Sequence, residues 1–312
     1  MLICRTFEEL AAVAGPLHLA LGVFDGVHIG HQEVIMRAVH ASKTHGGVAG
    51  VLTFDPHPIR VIAPEKAPKS LLATLEHKAE IVQELGISLF IPLHFDATFA
   101  TMEAIDFVAR LTAASVQTLA VGEDWRFGRQ RTGDVPLLRR EAQSRGFHLE
   151  AVPPVMLDGD RISSTRIRQA IRDGNLIAAR NMLGRPYSLS GIVIEGKKLG
   201  RTLGFPTANL HTADAQLPPD GVWIVKTLLA DGRSVPSIAN LGIRPSVDGK
   251  SHSVEIHLFD FSEDLYGQNL EIQFEKYLRP EIKFPSLDSL KIKIQRDTEE
   301  AKDFFQNCKP PA

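Results

Sequence analysis

Three glycines and two histidines near the start of the chain have the types and spacing that phosphate chemistry requires. They lie in Gly22–His31, where His28 and His31 are three positions apart. Glycines let backbone N–H groups approach a ligand closely, and histidines at this spacing share one face of a helical turn. The N-terminus of a helix also favours an anion. The segment therefore predicts a site that binds phosphate and stabilises charge on a transferred phosphoryl group.

Two other kinds of site fit this segment poorly. A dinucleotide-binding turn would carry GxGxxG, which is absent here. A zinc site would need a third and a fourth ligand at suitable spacing, and none is apparent. A glycine-rich turn followed by solvated histidines stays open as a purely structural alternative.

A second group of hydroxyl and cationic side chains occurs in Ile162–Arg168. Ser163 or Ser164 is a natural helix N-cap, and serine and threonine hydroxyls beside free N–H groups form an anion cup. Arg168 would project from the first turn of that helix. The segment predicts a second phosphate contact, and an ordinary serine-capped helix with an exposed arginine is the alternative.

The elements around these motifs alternate between apolar strands and amphipathic helices, which predicts a parallel sheet covered on both faces. The predicted strands are 17–24, 48–54, 87–93, 116–121 and 147–152. The predicted helices are 31–45, 75–85, 102–114, 135–145, 165–172 and 176–183.

Aromatic and proline residues follow two of these strands, at the end of a sheet where α/β proteins bind ligands. They are Phe54, Pro56, His57 and Pro58 after one strand, and Asp124, Trp125, Arg126 and Phe127 after the other. A planar heterocycle could fit between these side chains. Loop packing around aromatic residues is the alternative.

The pattern changes to short β-rich segments after residue 185, which predicts an antiparallel barrel or sandwich. The segments are 187–194, 221–229, 235–239, 253–259 and 270–276, and 287–305 is predicted to form one or two helices. We therefore expect an α/β domain over 1–185 and a β-domain over 186–312.

Several residues of the β-domain could serve a nucleotide and its metal. Thr207 and Asn209 are two residues apart, so on a strand they face the same way, and their oxygens suit Mg²⁺. Glu255 and His257 alternate with apolar residues and should share one face of a strand. A solvent-facing carboxylate is the alternative for Glu255. Glycines that allow close approach to a nucleotide are Gly196, Gly200 and Gly204.

Composition narrows the class of protein. The 312 residues carry a net charge of −2, with 35 basic and 37 acidic residues, so general binding to nucleic acid or membranes is not expected. No apolar stretch approaches the roughly 18 residues of a membrane helix, and the acidic start does not suit a secretory signal. Cys4 and Cys308 are predicted to be reduced thiols of a cytoplasmic protein.

Taken together, these motifs resemble a known family. The HxGH sequence of residues 28–31 resembles the phosphate-binding motif of the HxGH nucleotidyltransferases. Residues 204–209 (GFPTAN), 240–246 (NLGIRPS) and 254–257 (VEIH) resemble riboflavin-kinase motifs. In order and spacing, residues 17 to 303 are similar to the family of prokaryotic bifunctional riboflavin kinases/FAD synthetases.

The resemblance implies roles for individual residues. It implies that Glu255 is the base of the kinase, that His28, His31 and Arg168 stabilise adenylyl transfer, and that Thr207 and Asn209 bind Mg²⁺. The implied ATP- or phosphate-binding residues are Gly22, Phe24, Asp25, Gly26, Gly30, Ser163, Ser164, Thr165, Gly196, Gly200, Arg201, Gly204 and Pro206. The implied flavin-binding residues are Phe54, Pro56, His57, Pro58, Asp124, Trp125, Arg126, Phe127, Arg279 and Phe284.

The implied activity has two steps that use ATP and Mg²⁺. Riboflavin is phosphorylated to FMN in the β-domain, and FMN is then adenylylated to FAD in the α/β domain. The expected partners are the small molecules ATP, riboflavin and FMN, with weak self-association left open. Two alternatives remain: a nucleotidyltransferase for another phosphorylated acceptor with a degenerate kinase domain, and a non-catalytic flavin-binding regulator.

Overall fold

The computed structural model describes residues 1–196, 199–246 and 249–307, without the side chains of 199, 244–246 and 249–251. The chain forms two compact units, Met1–Arg166 and Ile167–Ala312. Cys4 is buried and not in a disulfide. Cys308 lies outside the described residues, as do the side chains of 244–246 in the predicted riboflavin-kinase motif.

The first unit is built on a six-stranded sheet in which all neighbouring strands are parallel. Its strands are β1 (Leu2–Ile3), β2 (Leu17–Leu21), β3 (Val48–Asp55), β4 (Leu89–His94), β5 (Val116–Gly122) and β6 (His148–Val152). The order across the sheet is β1-β4-β3-β2-β5-β6. Every residue of the central strand β2 is buried, because apolar clusters cover both faces of the sheet.

Helices connect these strands, and one hairpin and two further helices follow β6, the last of them within the second unit. The helices are α1 (Phe7–Ala11), α2 (Ile29–His45), α3 (Pro58–Ile62), α4 (Leu75–Glu84), α5 (Ala104–Leu111), α6 (Val135–Arg145), α7 (Ser164–Arg172) and α8 (Leu176–Leu183). The hairpin consists of β7 (Met156–Leu157) and β8 (Asp160–Arg161). Local sequence sets the helix ends. The Asp134 carboxylate accepts from Leu137 N–H where α6 begins, and Gly146 ends this helix at φ 78°.

The second unit contains a closed antiparallel barrel of six strands. They are β9 (Ser188–Ile194), β10 (Ala208–His211), β11 (Gly221–Leu228), β12 (Ser234–Ser246), β13 (Gly249–Leu258) and β14 (Asn269–Arg279). The order is β10-β13-β12-β11-β14-β9, and β9 pairs with β10 to close it. The short helix α9 (Leu199–Leu203) precedes β10, and α10 (Leu287–Asn307) packs against β12.

The predicted fold class is confirmed, and the differences lie at the ends of elements. The strand predicted over 17–24 ends at Leu21, because the chain turns sharply from Gly22 and Phe24 has a φ of 50°. The short strands β1 and β10 are not among the strands predicted from sequence. The compact units divide within α7, whereas the predicted boundary is 185, and a functional division at 185 stays a prediction.

Candidate active sites

The turn after β2 lies where a parallel sheet of this order should bind a ligand. The chain leaves β2 to form β3 on one side, and β5 pairs with β2 on the other side. The strand order therefore reverses at β2, and such a switch point leaves a crevice at the carboxyl ends of the strands. The segment 22–31 begins at that end of β2.

This turn has an unusual backbone. Phe24, Gly26 and Val27 have φ values of 50°, 79° and 43°. Positive φ costs about 1–3 kcal/mol at a non-glycine residue, so it persists only where the surroundings enforce it. Gly26 also has no space for a side chain, since a Cβ there would lie 2.7 Å from Leu72 Cδ1.

Buried polar groups hold the turn in this conformation. Lys78 Nζ donates to the Val23 carbonyl oxygen at 2.8 Å. The Asp25 carboxylate accepts from Leu72 N–H at 2.9 Å, and its backbone carbonyl accepts from Ser164 Oγ at 3.0 Å. The two motifs predicted to bind phosphate are therefore joined directly, by the Ser164–Asp25 hydrogen bond.

The two histidines stack at the N-terminus of α2. Their ring centroids are 3.5 Å apart, with an interplanar angle of 16°. His28 is the N-cap, and its Nδ1 accepts from His31 N–H at 3.3 Å. A neutral His28 therefore carries its proton on Nε2.

One ring nitrogen of His31 is buried at the N-terminus of α2. Its Nδ1 makes no hydrogen bond with any described residue. Burial lowers the pKa of His31 well below 6.5, and the charges of His28, Lys78 and Arg161 add to this effect. The His31 imidazole is therefore neutral at pH 7. A neutral imidazole can donate one hydrogen bond to a phosphate oxygen and still avoid the cost of a buried charge.

The helix α7 brings the serine-rich motif to the same region. Ser163 Oγ accepts from Arg166 N–H at 3.3 Å, which confirms the predicted serine N-cap. Thr165 is exposed, whereas Arg168 is 8% exposed. The alternative of an exposed arginine at residue 168 is therefore wrong.

The aromatic residues predicted to bind a flavin lie in or beside the core. Phe54 and Phe127 are buried in one apolar cluster, and the partly buried Trp125 stacks on Phe127 at 4.5 Å. Pro56, His57 and Pro58 are partly buried, and the N-cap His57 Nδ1 accepts from Ile59 N–H. Arg126 pairs with Asp134. Loop packing thus accounts for much of this pattern, and Trp125 with the prolines keeps some accessible surface.

Sequence reasoning missed two cationic residues of the first unit, Lys78 and Arg161. Arg161 Nη1 donates to Asp124 Oδ2 at 2.6 Å, and this hydrogen bond lowers the pKa of Asp124. Arg161 immediately precedes the serine-rich motif, which was the available signal for it. Lys78 lies within the amphipathic pattern of α4, where a lysine normally indicates a solvated face.

In the second unit, β10 and β13 bring together the residues predicted for the kinase. Asn209 is paired directly with Glu255 across these strands. Glu255 and His257 are partly exposed, whereas Val254, Ile256 and Leu258 are buried, so the predicted alternation is confirmed. His257 Nδ1 donates to the Pro206 carbonyl oxygen at 2.9 Å. Burial lowers the pKa of His257.

Two of the three predicted glycines pack against the chain itself. A Cβ on Gly196 would lie 2.2 Å from Asn209 Nδ2, and one on Gly200 would lie 2.3 Å from the Phe205 carbonyl oxygen. The absence of a side chain at these glycines lets Asn209 pack against Gly196 and Thr207 against Gly200. Gly204 has open space and a φ of 88°, a conformation that favours glycine.

The remaining predicted residues of this unit have mixed surroundings. Arg201 is exposed on α9. Arg279 forms a 2.7 Å ion pair with Asp297 of α10, and Asp297 is 2% exposed. The Arg279 guanidinium also lies 5.9 Å from the ring centre of Phe284. Arg279 thus ties the barrel to α10, and a role for it in flavin binding stays a prediction.

The fold and the two sites define a two-domain transferase that acts on phosphate groups. A family model for FAD synthetase matches residues 11–166, and one for riboflavin kinase matches residues 183–305. Several similar proteins carry the curated name bifunctional riboflavin kinase/FMN adenylyltransferase. One from Escherichia coli (strain K12) is 38% identical over 94% of each chain. Another, from Haemophilus influenzae, is 39% identical over 98% of this chain and 100% of its own.

The chain belongs to the family of bifunctional riboflavin kinases/FMN adenylyltransferases, and it makes FAD from riboflavin by these two activities. The whole fold is also found in a crystal structure from Streptococcus pneumoniae that is named as a macrolide-efflux protein. That chain has a TM-score of 0.80 and 29% identity, with 96% of this chain and 98% of that one covered. Within the described residues, no helix is both long and apolar enough to cross a membrane.

Proposed function

We propose that the two activities have separate sites, with FMN adenylylation at the His28–His31 pair and riboflavin phosphorylation at Glu255. The observation that carries the first assignment is the buried Nδ1 of His31, which has no hydrogen-bond partner among the described residues. A buried polar atom of this kind is costly unless a ligand supplies the partner. Its position at the N-terminus of α2 favours an anionic ligand.

In the adenylylation step, a phosphate oxygen of FMN attacks the α-phosphorus of ATP, and the bond to the β-phosphate breaks to release pyrophosphate. The attacking oxygen is already ionised at neutral pH, so this site needs no general base. His28, His31 and Arg168 would stabilise the charge that develops on the α-phosphoryl oxygens. Ser163, Ser164 and Thr165, with the glycine-rich turn, would hold the phosphates in line.

In the kinase step, the riboflavin 5′-hydroxyl attacks the γ-phosphorus of ATP and ADP leaves. This nucleophile is neutral, so the reaction needs a group that takes its proton. The Glu255 carboxylate would accept it, because Glu255 is partly exposed and faces the same side as Asn209 through their direct strand pairing.

The oxygen donors beside Glu255 fit Mg²⁺. The Asn209 amide lies directly against Gly196, and the Thr207 hydroxyl lies against Gly200. Hydroxyl, amide and carboxylate oxygens are ligands for this hard cation, which usually keeps waters and substrate phosphates in its shell. Thr207 and Asn209 would hold the ion, which when bound would neutralise charge on the phosphates of ATP.

The flavin ring would lie against Trp125 and the prolines of residues 56–58 in the first unit. In the second unit it would lie near Phe284, with Arg279 fixing that end of β14. These assignments rest on the partial exposure of Trp125 beside buried aromatic neighbours, and on that of Phe284 beside Arg279.

The test is analysis of products from the full chain with riboflavin, ATP and Mg²⁺. We expect FMN to form together with ADP, and FAD to form together with an equal amount of pyrophosphate. Supplied FMN should yield FAD and pyrophosphate without ADP. FAD formation without pyrophosphate would overturn the proposed adenylyl transfer.

A further inference from the structure

Lys78 is a buried lysine that neither proposed reaction uses. It lies on α4 and is 7% exposed. Its Nζ donates to the Val23 carbonyl oxygen at 2.8 Å and to Thr53 Oγ1 at 3.3 Å. Thr53 Oγ1 in turn donates to the same carbonyl oxygen at 2.9 Å. Lys78, Thr53 and Val23 therefore form a closed triangle of hydrogen bonds at the carboxyl ends of β2 and β3.

The triangle lies directly before the strained turn. Val23 is followed by Phe24, whose φ is 50°, and the positive φ of Val27 comes immediately before His28. Two donors on the Val23 carbonyl fix the orientation of the peptide plane that leads into Phe24. If this plane could rotate, Phe24 could relax to a negative φ, and the start of α2 would move with it.

A lysine is an expensive choice for packing at this position. Burial lowers the pKa of Lys78 to about 8, although the charges of Asp25 and Asp55 oppose this shift. An unbranched apolar residue would fill the same space without the cost of a buried ammonium group. Lys78 instead supplies a hydrogen-bond donor, and this donor contacts the Val23 carbonyl oxygen at the start of the turn.

We infer that Lys78 is a positioning residue for FMN adenylylation, which fixes the Val23 peptide and through it the placement of His28 and His31. The argument rests on the proposed assignment of adenylylation to the histidine pair. Because Lys78 acts through the turn, its loss should slow the chemical step more than it weakens ATP binding. A misplacement of about 1 Å can reduce an enzymatic rate on the order of a hundredfold.

The test measures FAD formation from FMN and FMN formation from riboflavin in Lys78→Met of the full chain. We expect kcat for FAD formation to fall at least about tenfold while KM for ATP changes less than about threefold. The kinase rate, which belongs to the other unit, should stay within about twofold and reports that the second unit is folded. A KM for ATP that is nearly unchanged in FAD formation reports that the first unit still binds its nucleotide.

A matched pair of threonines keeps the inference testable if Lys78→Met fails to fold. Thr53→Val removes one donor to Val23, whereas Thr118→Val removes a buried hydroxyl bonded to His18 Nδ1 at 2.9 Å on the same sheet. Thr53→Val should slow FAD formation several-fold, and Thr118→Val should not. FAD formation near the wild-type rate in both Lys78→Met and Thr53→Val would overturn the inference. So would a rise in KM at constant kcat in either variant. An equal loss of both activities in Lys78→Met indicates misfolding, and Thr53→Val compared with Thr118→Val then decides the inference.

His28→Ala separates this inference from the proposed function. If His28→Ala makes FAD normally, the assignment of the site itself is wrong. If His28→Ala loses FAD formation while Lys78→Met and Thr53→Val retain it, only the role of Lys78 is wrong.

Discussion

The stacked histidines differ from a pair of surface histidines because the buried Nδ1 of His31 has no hydrogen-bond partner in the part of the chain that the structure describes. Such an atom gains a hydrogen bond when a phosphate oxygen reaches it, and this gain is largest when charge builds up on that oxygen. The neutral state of His31 avoids repulsion from Lys78 and Arg161 in the ligand-free protein. His31 is therefore prepared to donate a hydrogen bond rather than to supply a fixed charge.

Replacing either histidine should affect only one activity. His28→Ala or His31→Ala should lower kcat for FAD formation about a hundredfold, because a positioned donor to the transition state is lost. FMN formation from riboflavin should be nearly unchanged. Steady-state assays of both products on the same preparation would measure this, and equal losses in both would indicate a folding defect.

The lowered pKa of His31 also predicts how stability depends on pH. Between its lowered value and 6.5, the unfolded chain binds a proton that the folded protein does not. Lowering the pH through this window should therefore reduce the free energy of unfolding, by up to about 1.4 kcal/mol per pH unit for this group. His31→Gln should lose less stability than wild type between pH 7 and pH 5.

Fluorescence can restrict that measurement to the first unit. The chain has two tryptophans, Trp125 in the first unit and Trp223 in the second. In a Trp223→Phe background, Trp125 alone reports urea unfolding at each pH. An identical pH dependence with and without His31 would contradict the prediction.

In the kinase site, Glu255→Gln keeps the shape of the side chain and removes the proton acceptor. It should lower kcat for FMN formation about 10²–10⁴-fold while riboflavin binding changes little. Asn209→Ala should behave differently, because a lost metal ligand can be partly offset by more Mg²⁺. A Mg²⁺ titration of both variants distinguishes them. Near-normal turnover in Glu255→Gln would mean that another group, such as His257 or water, accepts the proton.

At the scale of elements, the turn after β2 makes a prediction that a second glycine can control. Gly26 and Gly146 have nearly the same φ, 79° and 78°, but only Gly26 lacks space for a Cβ. Gly146→Ala should cost about 1 kcal/mol through backbone strain alone. Gly26→Ala should cost a further 1–3 kcal/mol, roughly, from overlap with Leu72, and should also slow FAD formation. Urea unfolding of both variants tests this, and equal losses would contradict it.

Regular elements were predictable from sequence because their apolar periodicity and end signals agree. The helix α6 has its predicted bounds, 135–145, with Asp134 and Gly146 at its ends. The single helix α10 covers the region predicted as one or two helices. In these segments, local preference and burial favour the same structure.

The strained turn and its supports could not be predicted in the same way. Positive φ at Phe24 and Val27 contradicts the preferences of both residues, so no local pattern indicates it. Lys78 is on the buried side of α4, where its hydrogen-bond acceptors, Val23 O and Thr53 Oγ1, come together only in the folded protein. The residues proposed to do the chemistry were therefore predicted from their motifs, whereas the contacts that support them were visible only in three dimensions.

At the scale of the whole molecule, the two activities should recombine between separate molecules. The histidine pair belongs to the first unit and Glu255 to the second. We expect His31→Ala to convert riboflavin only to FMN, and Glu255→Gln to convert supplied FMN to FAD. A mixture of the two should make FAD from riboflavin after a lag in which FMN accumulates.

Chromatography of that mixture over time measures the recombination, with each variant alone as its control. Lack of FAD in the mixture, although each variant keeps its remaining activity, would mean that FMN does not pass through solution. We propose that fragments 1–185 and 186–312 divide the activities in the same way. The helix α7 crosses the division between the compact units, so part of the second unit would stay with the first fragment. The full-length variants keep both units intact and are therefore the main test.

The closed barrel also sets an order of events during synthesis. Strand β9 begins at Ser188, but β14, which pairs with it, begins only at Asn269. At about 5–20 residues per second, a ribosome needs on the order of 4–16 s to make the chain between them. All six strands of the parallel sheet have been translated before β9 appears. Each nascent chain can therefore complete the sheet that carries the histidine pair while Leu189 of β9 still awaits Ile272 of β14.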